Sequence, residues 1–336
     1  MRKLASIQKI SELLPIEYAD NIEIAIVNGW QTVVKKGEFK PLDLCVYFEV
    51  DSLLPVKDVF SFMKNISKNE YVGEGYRVKT AKVRGVVLQG LALPLENFPE
   101  ININNVSLGD NLTELLGVKK WFVPEIQSGN GTFIGDKPFG IPTTDEPRLQ
   151  SNMELLQKIN NKPFYITTKY DGTSCTIYYK DGKIGVCGRN KEIKDDGKSS
   201  MWNFVHNSNL EKLLRELDVN IAIQGEFCGH GIQKNRLKLT KPNLFVFDVY
   251  NIDTGKYDNF MSAKFITNYL ELDFVEVNHV GHSFNYSLEH LLELAKGKYS
   301  SGMDREGIVV RSISDNEKEE RISFKVINND FLLKEK

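Results

Sequence analysis

The stretch that most constrains this chain is Phe164-Tyr-Ile-Thr-Thr-Lys169-Tyr-Asp171-Gly172-Thr-Ser174. Residues 164–167 are aromatic or β-branched, which suits a half-buried strand, and Asp-Gly is a strong turn signal. The chain must therefore end an apolar strand with a lysine just before a turn. An unpaired buried ammonium is costly, so Lys169 either reaches solvent or is kept for chemistry. Burial and neighbouring cations lower a lysine's pKa readily and turn it into an amine nucleophile. Taken alone, Lys-x-Asp-Gly is also satisfied by an ordinary lysine ahead of a turn.

At 336 residues the chain has length for two domains, each able to bury a core. Ile7, Ile10, Leu13 and Leu14 share one helical face over residues 5–14, and Pro15 stops the run, which predicts a first helix. Strand-like segments follow at 22–27, 30–34, 44–50 and 76–93, separated by Asn28-Gly29, Lys36-Gly37 and Lys40-Pro41. Short strands at close spacing suggest a small β-barrel over residues 1–117. Arg77, Lys79, Lys82 and Arg84 form a cationic strip there, which could track a phosphate backbone on an OB-like barrel or be a solvated strand face. Residues 118–150 change texture: glycines and prolines interleave with Trp121, Phe122, Phe133 and Phe139, as in a packed linker.

The remainder, 151–336, reads as a second domain. Ser151-Asn-Met-Glu154 is a capping-box pattern. Residues 173–187 are a hairpin closed by Asp181-Gly182, helices lie near 201–217 and 288–296, and further strands run at 221–227, 244–250, 307–312 and 321–326. The charge run 315–320 reads as a solvated hairpin loop. The net charge of −2 means that a nucleic acid would be met by local basic surfaces. Four scattered cysteines without a C-x-x-C pair argue for a reducing, cytoplasmic setting and against zinc. No window approaches the roughly 18 apolar residues of a spanning helix, so no membrane partner is expected. His279 and His282 have no third ligand at suitable spacing.

Polar residues at the ends of apolar strands are where sites are built, and the second domain has five such features. They are Lys169-Tyr-Asp171-Gly172; Gly188-Arg189; Gln224-Gly225-Glu226-Phe227; Phe245-Val-Phe247-Asp248; and Arg305-Glu306-Gly307 with Ser323-Phe-Lys325. A lysine nucleophile, carboxylates at three strand ends and further cations suit attack on a metal-bound nucleoside triphosphate, with the cations neutralising phosphate and keeping Lys169 deprotonated.

In this order the features resemble the nucleotidyl-transferase motifs of the covalent nucleotidyltransferases, the polynucleotide ligases and RNA capping enzymes, over residues 165–326. DNA ligases and capping enzymes usually show Lys-x-Asp-Gly-x-Arg and place an OB domain last. Here Ser174 replaces that arginine, the barrel precedes Lys169, and Lys325 lies near the end of the sequence. That pattern is similar to ATP-dependent RNA ligases with an N-terminal OB domain, the Deinococcus and Naegleria type, which seal nicks with an RNA 3′-hydroxyl end. The resemblance implies an α+β chain, an OB-like barrel followed by antiparallel sheets with flanking helices. It implies that Lys169 attacks the α-phosphate of ATP and carries AMP to a 5′-phosphate end, with a monomer expected. Asp171, Glu226 and Glu306 would serve Mg²⁺ or Mn²⁺, Arg189 and Lys325 the phosphates, Phe247 the adenine face, and Thr168 the adenine through its backbone. Glu226 and Glu306 would also contact the nucleotide. Many ligases carry Lys-x-Lys in the last motif, whereas Ile327 stands at the second position; Arg311 and Lys241 are the candidate replacements.

Overall fold

The computed structural model describes residues 3–65, 75–121, 131–313 and 321–334. The chain divides into two compact units, 1–125 with 149–153 and 332–336, and 126–148 with 154–331.

In the first unit the strands are β1 (Ala5–Lys9), β2 (Glu12–Pro15), β3 (Ile22–Val27), β4 (Trp30–Lys35), β5 (Leu44–Phe48), β6 (Ser52–Leu54), β7 (Tyr76–Arg77), β8 (Ala81–Val83), β9 (Val86–Leu88), β10 (Leu91–Pro94) and β11 (Lys119–Lys120). They form small antiparallel sheets, β1-β5-β10, β2-β3-β4, β11-β6-β7 and β8-β9. The expected first helix does not exist. Ala5 to Lys9 pairs with Phe48 to Leu44, and Glu12 to Pro15 pairs with Ile26 to Glu23. The apolar residues that mimicked one helical face serve two cores: Ile7 packs with Val46 and Phe48, and Ile10 with Trp30 and Val34. Pairing with distant strands has overridden the local periodicity.

Asn28-Gly29 does close the β3–β4 hairpin, with φ of 50° and 75° at the two turn residues, the type I′ geometry that matches strand twist. The long strand expected over 76–93 is instead broken into β7 to β10, and Arg84-Gly85 makes a second two-residue turn with φ of 46° and 87°. The cationic strip breaks with it. Arg77 lies 2.6 Å from Asp51 Oδ1 and 3.2 Å above the Trp121 ring centre, so a carboxylate and an aromatic face already hold its guanidinium. Lys79, Lys82 and Arg84 are exposed.

In the second unit β12 (Phe133–Asp136), α1 (Glu154–Ile159), β13 (Phe164–Lys169), β14 (Thr173–Lys180), β15 (Lys183–Cys187), β16 (Lys191–Ile193), α2 (Ser200–His206), α3 (Leu210–Leu217), β17 (Ile221–Cys228), β18 (Asn243–Asn251), β19 (Lys256–Tyr257), α4 (Phe260–Tyr269), β20 (Asp273–Phe274), β21 (Val277–Gly281), α5 (Leu288–Ala295), β22 (Gly307–Ser312) and β23 (Ser323–Ile327) follow in order. The large sheet runs β12-β16-β15-β14-β17-β18-β19, with β20 added to β18 as the parallel strand, and the smaller one runs β21-β13-β22-β23. The Asp181-Gly182 hairpin forms as read, with φ of 50° and 76°. The helical stretch near 201–217 is two helices, and Ser199 caps the first by accepting from Trp202 N. The capping box fails: α1 begins at Glu154, but Ser151 Oγ is buried without a partner.

Part of the expected linker is an edge of the large sheet, because β12 pairs with β16, while Lys119-Lys120 pairs with β6 in the first unit. Phe122 and the 315–320 charge run lie outside the described residues. The core of the large sheet packs Ile177, Val186, Ile223 and Val246 against Trp202 and Leu214 of the helices.

Two features of this frame position the site. Only Tyr170 to Gly172 separates β13 from β14, so the chain crosses from the small sheet to the large one immediately after Lys169. On the large sheet β17 and β18 approach closely at Gly225, where an added Cβ would stand 2.6 Å from the Phe245 carbonyl oxygen. Gly225→Ala should therefore destabilise the protein by about 1–3 kcal/mol, the cost of overpacking. A urea-denaturation midpoint checks this, and a midpoint equal to wild type would contradict the close approach.

Candidate active site

Lys169 ends β13 opposite Gly307, the first residue of β22. Its Nζ lies 2.6 Å from Glu306 Oε2, and both side chains are about one-fifth exposed (21%). Burial disfavours the ammonium, but the Glu306 and Glu226 carboxylates outweigh it, so the Lys169 pKa stands above that of a free lysine, with Arg189 opposing. The expectation that neighbouring cations keep Lys169 deprotonated is thus reversed in the unliganded protein: the amine is stored as an ammonium.

Lys169 opens into a cleft between the two sheets. Thr168, Arg189, Glu226, Phe247 and Lys325 line it with Lys169, so six of the eight residues singled out in the sequence converge on one space. Val275, Val309 and the half-buried Phe247 ring supply apolar surface, and Arg189, Arg311 and Lys325 supply cations. The Thr168 N–H already donates to the Glu276 carbonyl oxygen at 2.9 Å, so that donor is committed. Arg189 follows β15 and is exposed. On β23, Lys325 is pushed down to about 8 by burial and by the Lys169 charge, against Asp145 at 3.5 Å.

The Glu226 carboxyl is pushed up to about 7 by burial, with Glu306 and Asp171 adding to the shift and Lys169 and Arg189 opposing it. A carboxylate so poorly compensated fits a cation. Among the described residues, however, no three His, Cys, Asp or Glu side chains stand together as a ready cage. The expected set of Asp171, Glu226 and Glu306 is therefore not preformed. Asp171 is held elsewhere: Arg236 Nε donates to its Oδ2 at 2.8 Å, with side-chain exposures of 4% for Arg236 and 14% for Asp171. Glu226 and Glu306 remain, and Mg²⁺-like ions commonly use one or two protein carboxylates and complete their shell with phosphate and water oxygens.

A glycine accompanies each of these acids because neighbouring backbone comes too near for a side chain. A Cβ on Gly172 would stand 2.5 Å from both the Phe227 carbonyl oxygen and Cys228 Sγ. Gly225 is blocked by Phe245 as described. Gly307, at φ of 153°, is blocked by the Val326 carbonyl oxygen.

Sequence reasoning missed Thr144, Asp145 and Glu146, which line the cleft, and Thr144 Oγ1 lies 2.7 Å from Ser174 Oγ. They sit in a stretch with no periodicity to mark them. Of the two candidate replacement cations, Arg311 lines the cleft and Lys241 does not. Arg311 is 1% exposed and belongs to a buried network, 3.2 Å from Glu146 and 3.5 Å from Asp248; Arg321 lies 2.8 Å from the same Asp248 oxygen. His279 is an exposed residue on the edge strand β21, against the Phe164 ring.

A family model described as an OB-fold domain matches residues 4–95, and one described as RNA ligase matches residues 162–327. The chain is thus an OB-fold domain followed by a ligase-type nucleotidyltransferase domain, the α+β architecture expected from sequence. Solved structures of the Naegleria gruberi RNA ligase are similar over nearly the whole length. An aspartate-to-alanine mutant in apo form gives 35% identity and a TM-score of 0.88, covering 98% of this chain and 97% of that one. A lysine-to-alanine mutant with ATP and Mn gives 35% and 0.88, covering 98% of each. The protein with PPi gives 35% and 0.87, covering 99% and 98%. No curated protein sequence matches. This chain belongs to the RNA ligase family.

The buried Asp171–Arg236 pair generates a stability prediction. Arg236→Ala strands a largely buried carboxylate and should cost about 3 kcal/mol, read as a lowered urea midpoint; a loss below 0.5 kcal/mol would show that the pair is not what holds Asp171.

Proposed function

We propose that this RNA ligase uses ATP and a divalent metal to seal a 3′-hydroxyl/5′-phosphate break, with Lys169 as the residue that carries AMP. The observation that carries the reading is the position of Lys169 Nζ, paired with Glu306 in a cleft that offers an aromatic face and several cations. The Naegleria structures with ATP and Mn and with PPi support ATP, metal and pyrophosphate as the ligands to expect.

In the first step the Lys169 amine forms a bond to the α-phosphorus of ATP, and the bond to the departing pyrophosphate breaks. An oxygen of the 5′-phosphate end then takes the AMP and frees the lysine. Finally the 3′-hydroxyl, giving up its proton, attacks the phosphorus of the 5′-phosphate end, and the bond from that phosphorus to AMP breaks, releasing AMP. Phe247 offers its ring to adenine, with Val275 and Val309 beside it. Arg189 and Lys325 face the phosphates, where guanidinium and ammonium donors are strongest, and Arg311 is the further cation in place of a second lysine at Ile327. Asp171, fixed by Arg236, orients the turn after Lys169. Before attack the ammonium must lose a proton, so the Lys169–Glu306 pair has to loosen. Glu226 and Glu306 would hold a divalent cation, whose positive charge would weaken their grip on that proton and screen the phosphate oxygens. We further propose a nicked duplex with an RNA 3′-hydroxyl end as substrate, in a reducing compartment; all four cysteines are free and buried.

Incubation with Mg²⁺ and α-labelled ATP should leave acid-stable label on the wild type and none on Lys169→Ala. No label on the wild type, or full label on the variant, would sink the reading. Nicks that differ only in the sugar at the 3′-hydroxyl end test the substrate, with faster sealing of the ribose form expected. Equal rates with an all-DNA nick would favour a general nick ligase.

The lowered Lys325 pKa adds a pH prediction. The side chain is cationic below about 8 and neutral above, so its attraction for phosphate is lost as pH rises. ATP affinity should fall about tenfold between pH 7 and 9.5, the worth of one charged hydrogen bond, and Lys325→Arg should abolish that slope. Titration calorimetry across the range decides it, and identical slopes for both proteins would exclude Lys325 as the cause.

A further inference from the structure

We propose that Tyr299 is a positioning residue for lysine adenylylation, acting through the backbones of Lys169 and Glu306. The inference rests on the assignment of Lys169 as the AMP carrier.

Antiparallel strands β13 and β22 stay in register to their last pair, Lys169 opposite Gly307. Beyond it a phenol bridges the gap. Tyr299 Oη donates to the Lys169 carbonyl oxygen at 2.9 Å and accepts the Glu306 N–H at 3.0 Å. One hydroxyl thus makes the final rung between the strand end that bears the nucleophile and the turn that bears its carboxylate partner. Fixing both backbones fixes where the two side chains start, and the resulting Nζ–Oε2 separation is 2.6 Å.

Tyr299 is itself rigidly placed. It is 3% exposed, and its ring meets Tyr170 edge to face at 5.7 Å. Its loop is a tight reverse turn: Tyr299 N donates to the Met303 carbonyl oxygen at 2.8 Å and Gly302 N to the Tyr299 carbonyl oxygen at 2.9 Å. Arg305 N closes the base onto the Gly297 carbonyl oxygen at 2.9 Å.

The same loop holds the rest of the centre. Ser301 Oγ donates at 2.5 Å to the carbonyl oxygen of Arg236, the residue that fixes Asp171. The Arg305 guanidinium donates to the Leu294 carbonyl oxygen near the end of α5, to that of Lys296 at 3.2 Å, and to Thr168 Oγ1 at 3.4 Å. Residues 297–305 therefore act as a bracket across the strand ends, with the Tyr299 hydroxyl as its contact to the nucleophile. Nothing in the pattern Lys-Tyr-Ser-Ser-Gly-Met-Asp marks such a role, because the contact spans 130 positions in sequence.

Tyr299 is not among the residues that line the cleft, so loss of its hydroxyl should affect alignment rather than binding. Misplacing a reacting group by a fraction of an ångström slows a step without weakening ground-state affinity.

The test compares wild type with Tyr299→Phe, which keeps the ring and removes the bridge. Three readouts are taken with Mg²⁺: the single-turnover rate of label transfer from saturating ATP to the protein, the ATP dissociation constant, and the sealing rate on a nick whose 5′ end already carries AMP. We expect the first to fall about tenfold, the second and third to stay within twofold of wild type, and the melting temperature to shift by a few degrees at most. A label-transfer rate within twofold of wild type overturns the proposal. So does equal loss of all three readouts together with a collapsed melting temperature, which would make the hydroxyl a structural requirement only. Absence of label on the wild-type protein would instead refute the AMP-carrier assignment, so the two failures are separable.

Discussion

The ion pair between Lys169 and Glu306 is the constraint around which the second unit is built. It joins the end of one strand to the start of its neighbour, and each partner is too buried to be left alone without a large desolvation cost. The pair also explains a chemical contradiction. A nucleophilic amine has to be neutral to react, yet burial between strand ends would make a lone lysine expensive. The carboxylates stabilise the ammonium at rest, so in the mechanism proposed above reactivity would arise only when a ligand rearranges the charges.

The acids come near the lysine because the backbone is stripped at three points. Gly172, Gly225 and Gly307 each stand where a Cβ would collide with a neighbouring strand or a cysteine sulfur. Their role is steric, letting strands from two sheets converge more tightly than ordinary side chains permit. The same convergence buries Arg311 beside Glu146 and Asp248, with Arg321 on the same Asp248 oxygen, so that two cations face two carboxylates. Part of this paired charge, Arg311 and Glu146, also lines the cleft.

Much of the site was legible in sequence because its residues sit at the ends of apolar strands, where a polar residue stands out against its background. Lys169, Arg189, Glu226, Glu306 and Lys325 carried that signal, whereas Phe247 was reached only through the family resemblance. What escaped were groups whose importance comes from distant contacts: Tyr299 under Lys169, Arg236 behind Asp171, Thr144 beside Ser174. The failed first helix has a related cause. Ile7, Ile10, Leu13 and Leu14 repeat like a helical face, but their partners Val46, Phe48, Trp30 and Val34 lie far along the chain. The protonation state of Lys169 was misread for lack of distances, since the cations were visible in sequence but the 2.6 Å carboxylate was not.

The crossing at Tyr170 to Gly172 has a mechanical meaning. Lys169, Glu306 and Lys325 belong to the small sheet, or to the turn entering it, whereas Phe247 and Glu226 belong to the large one. A nucleotide bonded to Lys169 and stacked on Phe247 would be a strut between the two sheets. The covalent intermediate would then do more than store a reactive phosphate: for its lifetime it would cross-link the halves of the domain, and its departure would let them part.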